Sequence, residues 1–242
     1  MDKRNIAILV GILVLVLAIL GGYFFFSKQE EENIRTDAMI FKEEYESLNG
    51  KKESDGHEYR ILDIPSDNRM VYQTADEIVK RIENKETFAV YFGFAACPWC
   101  RSVLPSLLEV VNDLGLSKIY YVDIENIRDE KELQDGKVVT TKEGSEGYQK
   151  LLTLFDEVLD NYTLKDENQK EVDTKEKRIY APNVLGIVDG KVETLTTGIS
   201  KKQEDAYIEL TGEMKSDAYN QFKCALECIQ ENETVCTKKE AC

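Results

Sequence analysis

The chain has 242 residues, of which 42% are hydrophobic and 32% are charged, and its formal net charge is -15. This length and composition suffice for one well-cored domain with additions or for two small domains. So large a negative charge argues against nucleic acid as a partner, because the phosphate backbone attracts basic surfaces.

An uncharged apolar run extends from Ile6 to Phe26, shortly after Lys3 and Arg4. As a helix at about 1.5 Å per residue it spans roughly 31 Å, enough to cross a bilayer. The basic residues favour a cytoplasmic N-terminus, with the C-terminal domain outside the cytoplasm. A cleaved signal peptide is the alternative, although its apolar region would normally be shorter. We therefore predict a single-pass cell-membrane protein with a cytoplasmic stub and an uncleaved signal anchor at 1–27.

Residues 28–56 are predicted to form an extracytoplasmic linker with one short helix. Apolar residues between Ile34 and Leu48 recur at spacings of three and four, and Asn49-Gly50 ends the pattern. The helix either packs on the main domain or acts as a spacer from the membrane, and the sequence leaves both open.

The main domain is predicted at 57–212 and begins with a strand at Tyr59–Ile64. Thr74 and Glu77 fit a capping box at the start of an amphipathic helix. The apolar run from Phe88 to Phe94 is typical of a fully buried strand, because it is short and rich in aromatic and β-branched residues.

Helical spacing then predicts a helix from Pro98 to Leu114, and a strand follows at Ile119–Ile124. Strand, helix and strand at these lengths form a βαβ unit with a parallel strand pair. We therefore expect an α/β fold with a central mixed sheet flanked by helices.

The polar segment at about 125–178 is predicted to be an insertion. It has one packed helix, from Tyr148 to Leu159, and a solvated loop from Lys165 to Arg178. After it, Asp189-Gly190 lies between two apolar stretches, which predicts a two-residue β-hairpin.

The C-terminal segment 213–242 is predicted to be a helical, cysteine-rich extension. Apolar residues at helical spacing run through 201–230, and Gly212 leaves open one helix or two with a break. Disulfides are expected here rather than zinc ligands, given the location and the spacing. Four cysteines allow three pairings. A bridge between Cys224 and Cys228 is disfavoured if this stretch is helical, because adjacent helical turns give poor disulfide geometry, so pairings to Cys236 and Cys242 are preferred. The candidate residues are Cys224, Cys228, Cys236 and Cys242.

The motif Cys97-Pro98-Trp99-Cys100 lies between the predicted buried strand and the helix, which is the context of a dithiol redox site. Cys97 is the candidate nucleophile, because unpaired N–H groups and the dipole at a helix N-terminus favour a thiolate. Cys100, one turn further, is the candidate resolving thiol. Pro98 suits the first helical turn. Trp99 either contacts a bound peptide or shields the disulfide.

Two neighbouring features belong to the same motif. Arg101 is expected to be a solvated residue on the helix surface. The Cys-x-x-Cys spacing also serves half of a zinc site, but two further ligands are not apparent nearby. We therefore expect neither a metal nor another cofactor.

With these motifs, residues Tyr59–Gly212 resemble the thioredoxin superfamily, with Cys97–Cys100 in the redox position. Pro105, five residues after the second cysteine, matches the proline that kinks the active-site helix of that superfamily. Ala181-Pro182, directly before a strand-turn-strand, resembles its cis-proline loop. The resemblance implies a thioredoxin-like fold in which Ala181 and Pro182 face the dithiol and bind substrate.

More narrowly, the stretches Tyr91–Phe94 and Cys97–Arg101 and the N-terminal span resemble membrane-anchored, thioredoxin-like bacteriocin transport accessory proteins. This implies a thiol-disulfide oxidoreductase that acts outside the cytoplasm on exported proteins or peptides, together with a membrane redox partner. The alternative is a non-catalytic accessory or binding protein of a bacteriocin export system. Tyr91 stands where thioredoxins carry a buried acid, so the direction of electron flow stays open.

Overall fold

The computed structural model describes residues 35–229 together with Val16. The predicted anchor at 6–26, apart from Val16, and the cysteines Cys236 and Cys242 lie outside the described residues. Among the residues that are described, no helix is both long enough and apolar enough to cross a membrane. A compact unit begins at Asp37, within the segment predicted to be a linker.

The elements are numbered here in chain order. The helices are α1 (Asp37–Glu46), α2 (Ala75–Glu83), α3 (Pro98–Asp113), α4 (Glu146–Leu154) and α5 (Gly212–Leu226), with a 3₁₀ turn at Glu227–Ile229. The strands are β1 (Met70–Tyr72), β2 (Phe88–Gly93), β3 (Ile119–Asp123), β4 (Glu130–Gln134), β5 (Lys137–Lys142), β6 (Asn161–Lys165), β7 (Glu171–Lys177), β8 (Asn183–Val188) and β9 (Lys191–Thr196).

A five-stranded mixed sheet in the order β1-β3-β2-β8-β9 forms the centre of the domain. The strands β1, β3 and β2 run parallel, whereas β8 is antiparallel to both β2 and β9. Helices α1, α3 and α5 contribute to the core on one face of the sheet, and α2 and α4 to the core on the other. The expected α/β class with a mixed sheet flanked by helices is confirmed.

Several local predictions are confirmed. The Thr74 hydroxyl accepts from the Glu77 backbone N–H at 3.2 Å, and the Glu77 carboxylate accepts from the Thr74 backbone N–H at 2.7 Å, which is the capping box. Strand β2 is buried along its whole length. The hairpin between β8 and β9 turns at Asp189 and Gly190, where φ is +50° and +74°, so glycine suits the second position.

The strand predicted at Tyr59–Ile64 is wrong, because this segment pairs with no neighbouring strand. Its extended backbone bonds to side chains instead. The side chain of Asn49 accepts from Leu62 N–H at 3.0 Å and donates to the Leu62 carbonyl at 2.7 Å. Glu46 likewise accepts from the backbone N–H of Ile64. The first strand of the sheet is β1, further along the chain.

Helix α1 packs on the domain, which decides the alternative left open by the sequence. Phe41 and Tyr45 on this helix are fully buried. The ring of Phe41 meets that of Tyr121 on β3 edge to face, with 4.9 Å between centroids. The segment predicted as a linker therefore supplies part of the core.

The insertion contains more regular structure than predicted. The predicted loop Lys165–Arg178 is largely β7 and its turn, paired with β6, and β4 pairs with β5. The Asp166 carboxylate organises the β6–β7 turn by accepting from the backbone N–H groups of Asn168 and Lys170. The sequence did contain a signal for the β4–β5 hairpin, the dipeptide Asp135-Gly136. Both of its residues have positive φ in the structure.

The C-terminal helix starts later than the apolar pattern suggested. Residues 201–210 are not helical, and α5 begins at Gly212 behind an N-cap at Thr211. Ala218 and Phe222 on α5 are buried in the same core as α3. The predicted boundary at 212 is therefore the N-terminus of a helix that belongs to the domain.

Candidate active site

Cys97 is the N-cap residue of α3, at the point where the chain leaves the buried strand β2. Its Sγ accepts a hydrogen bond from the Cys100 backbone N–H at 3.1 Å. Pro98 occupies the first helical turn, where its missing N–H leaves no donor unpaired. The sulfur thus takes the position that a serine or aspartate oxygen takes at an ordinary helix start.

The loop that faces Cys97 is brought there by the sheet. Strand β8 pairs antiparallel with β2, and Asn183, its first residue, lies opposite Phe92. The two residues before β8, Ala181 and Pro182, therefore reach the exit of β2. Their peptide bond is cis, as expected, and the Cys97 thiol donates to the Ala181 carbonyl at 3.3 Å.

The side chain of Arg101 binds the turn that leads from β2 to Cys97. Its guanidinium donates to the carbonyls of Tyr45 at 2.8 Å, Ala95 at 3.2 Å and Arg60 at 3.0 Å, and also to the Asn49 side chain. The expectation of a solvated Arg101 is wrong, because the side chain is fully buried and carbonyl dipoles replace its water. A lone arginine after the motif gave no sign of this, since its partners are remote in sequence.

Both thiols are shielded, with Cys97 3% and Cys100 0% exposed. Burial raises the pKa of the Cys97 thiol well above its ordinary value, and the adjacent Cys100 raises it further. The Cys100 N–H and the charge of Arg128 lower this pKa but do not offset burial. Burial of the sulfur therefore opposes the lowering of the Cys97 pKa that is expected at a helix N-terminus.

A groove of about 240 Å³ opens beside the dithiol. Its walls come from the motif, the cis-proline loop, the end of β9 and the insertion. The residues that line it include Trp99, Leu159, Arg178, Tyr180, Pro182, Asn183, Leu195 and Ile199. Trp99 is half-buried and lies on the groove wall.

Asn183 is a groove residue that the sequence reasoning missed. It is 4% exposed, and its Oδ1 atom has no hydrogen-bond partner among the described residues. A polar residue directly after Ala181-Pro182, at the start of an apolar strand, was the available signal.

Tyr91, on β2, is 1% exposed beneath the dithiol. Its hydroxyl lies 2.9 Å from that of Tyr45 on α1. Gly93 makes room for this ring, because a Cβ atom there would lie 2.3 Å from the Tyr91 hydroxyl oxygen. A pair of hydrogen-bonded phenols, those of Tyr91 and Tyr45, thus lies beneath the dithiol.

The C-terminal cysteines that are described lie at the end of α5 and in the turn after it. Cys224 is disulfide-bonded, and it is not bridged to Cys228. The Cys228 side chain is buried, and its thiol donates to the Ala225 carbonyl. Cys236 and Cys242 lie outside the described residues, so the pairing stays a prediction.

Within residues 35–229, no group of three or more histidine, cysteine, aspartate or glutamate side chains has metal-binding geometry. No protein-family model and no curated protein sequence matches this chain.

Proposed function

We propose that this protein is a thiol-disulfide oxidoreductase of thioredoxin-like fold that acts through Cys97 and Cys100. The observation that carries the proposal is the position of the Cys97 sulfur, between the Cys100 N–H and the Ala181 carbonyl. The sheet order, with the dithiol at the exit of its central strand, supports the fold assignment.

The reaction follows from the two thiols. The Cys97 thiolate attacks one sulfur of a substrate disulfide, forms a mixed disulfide and releases the other sulfur as a thiolate. The Cys100 thiolate then attacks the Cys97 sulfur and releases the second substrate thiol. The substrate gains two electrons, and Cys97–Cys100 becomes a disulfide. The reverse sequence oxidises a substrate dithiol.

The groove supports a peptide rather than a small molecule as the partner. Both sulfurs are shielded, so a substrate sulfur has to be presented along the walls formed by Trp99 and Pro182. The extended backbone of a substrate peptide can lie beside Ala181 and make polar contacts with the backbone of this loop. With the anchor predicted at 6–26, the substrates are exported proteins or peptides, and a membrane redox partner returns the dithiol to its starting state.

A trapping experiment tests this function. Cys100→Ser in the full membrane-anchored chain should accumulate mixed disulfides with exported proteins, because Cys97 can attack but the complex cannot resolve. Cys97→Ser is the matched control and should trap none. Absence of adducts on Cys100→Ser, with the protein folded and present at the wild-type level, would contradict the oxidoreductase function.

A non-catalytic binding role is the second candidate, and the near-complete burial of Cys97 favours it. In that case the dithiol serves stability, and the groove alone provides the function. The double variant Cys97→Ser/Cys100→Ser separates the two candidates, since a binding protein keeps export of its client and an oxidoreductase loses it.

A further inference from the structure

The guanidinium of Arg101 uses all five of its N–H donors on neutral acceptors. It makes five hydrogen bonds, and the acceptors are the carbonyls of Tyr45, Ala95 and Arg60 and the side-chain oxygen of Asn49. The side chain is fully buried and keeps its charge, so each lost acceptor would leave part of a buried cation unpaired. Arg101 is therefore held in one position.

One of these bonds closes a loop of chain that contains the dithiol. Arg101 lies on α3, directly after Cys100, and its Nη1 atom donates at 3.2 Å to the carbonyl of Ala95, two residues before Cys97. Within the same turn the Cys97 backbone N–H donates to the Phe94 carbonyl at 3.2 Å. Both cysteines thus lie between the ends of a hydrogen bond that fixes the turn after β2 to the helix.

The other four bonds go to residues 37–64, the part of the chain before the sheet, here called the leading segment. The carbonyl of Tyr45, on α1, accepts from Nη1 at 2.8 Å, and Asn49 Oδ1 accepts from Nη2 at 2.9 Å. The Arg60 carbonyl accepts from Nε at 3.0 Å and also from Nη2. The leading segment therefore determines where the guanidinium lies, and the guanidinium holds the turn before Cys97.

The position of this turn affects the two redox states unequally. A disulfide requires its two cysteines in one specific arrangement, whereas two thiols tolerate many. Oxidation therefore costs conformational entropy, and a turn that is already held in place has less of it to lose. Holding the turn favours the disulfide, and releasing it should favour the dithiol.

We propose that Arg101 is a positioning residue through which the leading segment stabilises the Cys97–Cys100 disulfide relative to the dithiol. This inference rests on the function proposed above. When oxidised dithiothreitol reacts with the pair, Cys97 and Cys100 lose two protons and two electrons and form the S–S bond, and the reagent becomes a dithiol. A residue that stabilises both protein forms equally leaves this equilibrium unchanged, so a merely structural role would not move it.

The test measures the equilibrium constant for oxidation of the pair in mixtures of oxidised and reduced glutathione or dithiothreitol. Arg101→Met keeps the length of the side chain but removes every donor, and it should lower this constant about tenfold. Arg101→Lys keeps the charge without the planar set of donors and should give an intermediate constant. Asn49→Ala removes one acceptor from the leading segment and should lower the constant about threefold, which decides the question if Arg101→Met does not fold.

Asn68→Ala is the matched control. The Asn68 side chain donates to the carbonyls of Ala38 at 2.8 Å and Pro65 at 2.7 Å, so it also fastens the leading segment, but none of the Arg101 bonds goes to it. Urea unfolding should show a loss of stability for both asparagine variants, whereas only Asn49→Ala should shift the redox equilibrium.

Wild-type equilibrium constants in Arg101→Met and Asn49→Ala would overturn the positioning role. A shift in Asn68→Ala as large as that in Asn49→Ala would also overturn it, because the effect would then come from general loosening of the segment. Failure of the proposed function would look different: Cys100→Ser would trap no exported protein, while the constants of the Arg101 variants would still shift.

Discussion

On one face of the central sheet, the core contains two thiols, a cluster of phenols and the buried cation of Arg101. On the other face, α2 and α4 cover a core of aliphatic and aromatic side chains, in which Phe92 meets Phe155 with 6.0 Å between ring centroids. Strand β2 serves both faces, because alternate residues point to opposite sides. Tyr91 therefore faces the polar core, and Phe92 faces the apolar one.

This difference indicates a division of roles within one sheet. Burying polar groups contributes little net stability, because each gives up hydrogen bonds to water for those it makes in the protein. Burying hydrocarbon surface is the dominant favourable term. We expect the apolar face to dominate stability and the polar face to set the chemistry of Cys97 and Cys100.

Phe92→Ala should produce the largest loss of stability. The side chain is fully buried, and its removal leaves a cavity that costs about 3–5 kcal/mol. Urea unfolding measures this loss. The rate at which Cys97 reacts with 5,5′-dithiobis(2-nitrobenzoate), per folded molecule, should stay at the wild-type value. A lower reaction rate of Cys97 together with little loss of stability would contradict the division of roles between the two faces.

Gly93→Ala should have an intermediate effect on the polar face. The new Cβ would lie 2.3 Å from the Tyr91 hydroxyl oxygen, so the ring has to move. We expect a loss of about 1–3 kcal/mol in the free energy of unfolding, as for other overpacked cores. In a double-mutant cycle, Tyr91→Leu should reduce this cost, because it removes the ring that clashes. Additive effects would show that the ring does not occupy this space.

Glu44 gives the smallest expected effect, a pH dependence of stability. Burial raises the pKa of this carboxyl group from its ordinary value of 4.5. The folded protein then binds the proton more tightly than the unfolded chain, so the stabilisation is full below pH 4.5 and is lost as the pH rises through the folded-state value. The free energy of unfolding of the wild type minus that of Glu44→Gln should fall over this range. Urea unfolding at a series of pH values measures this difference, and a difference that rises with pH would contradict the prediction.

The elements that sequence predicted well are those specified by local patterns. The capping box at Thr74, the buried strand β2 and the turn at Asp189-Gly190 each depend on neighbouring residues. The helix after Cys97 is also specified locally, by a proline in its first turn and by apolar spacing.

The predictions that failed depend on partners far along the chain. The segment Tyr59–Ile64 has the alternation of a strand, but side chains of α1 and Asn49 take its backbone hydrogen bonds. Arg101 is buried because carbonyls from Tyr45 and Arg60 surround it. No local pattern encodes these contacts, and they decide the surroundings of the dithiol.

The most direct test of the redox role is the equilibrium of Cys97 and Cys100 with two series of oxidised and reduced mixtures, one of glutathione and one of dithiothreitol, because the first covers oxidising and the second reducing potentials. The fraction of the protein that carries this disulfide would be measured by alkylation, with Cys97→Ser as the blank. An oxidoreductase should show a reversible two-electron transition within the series, and its midpoint gives the direction of electron flow. A pair that stays fully oxidised or fully reduced across both series would contradict a redox-active dithiol.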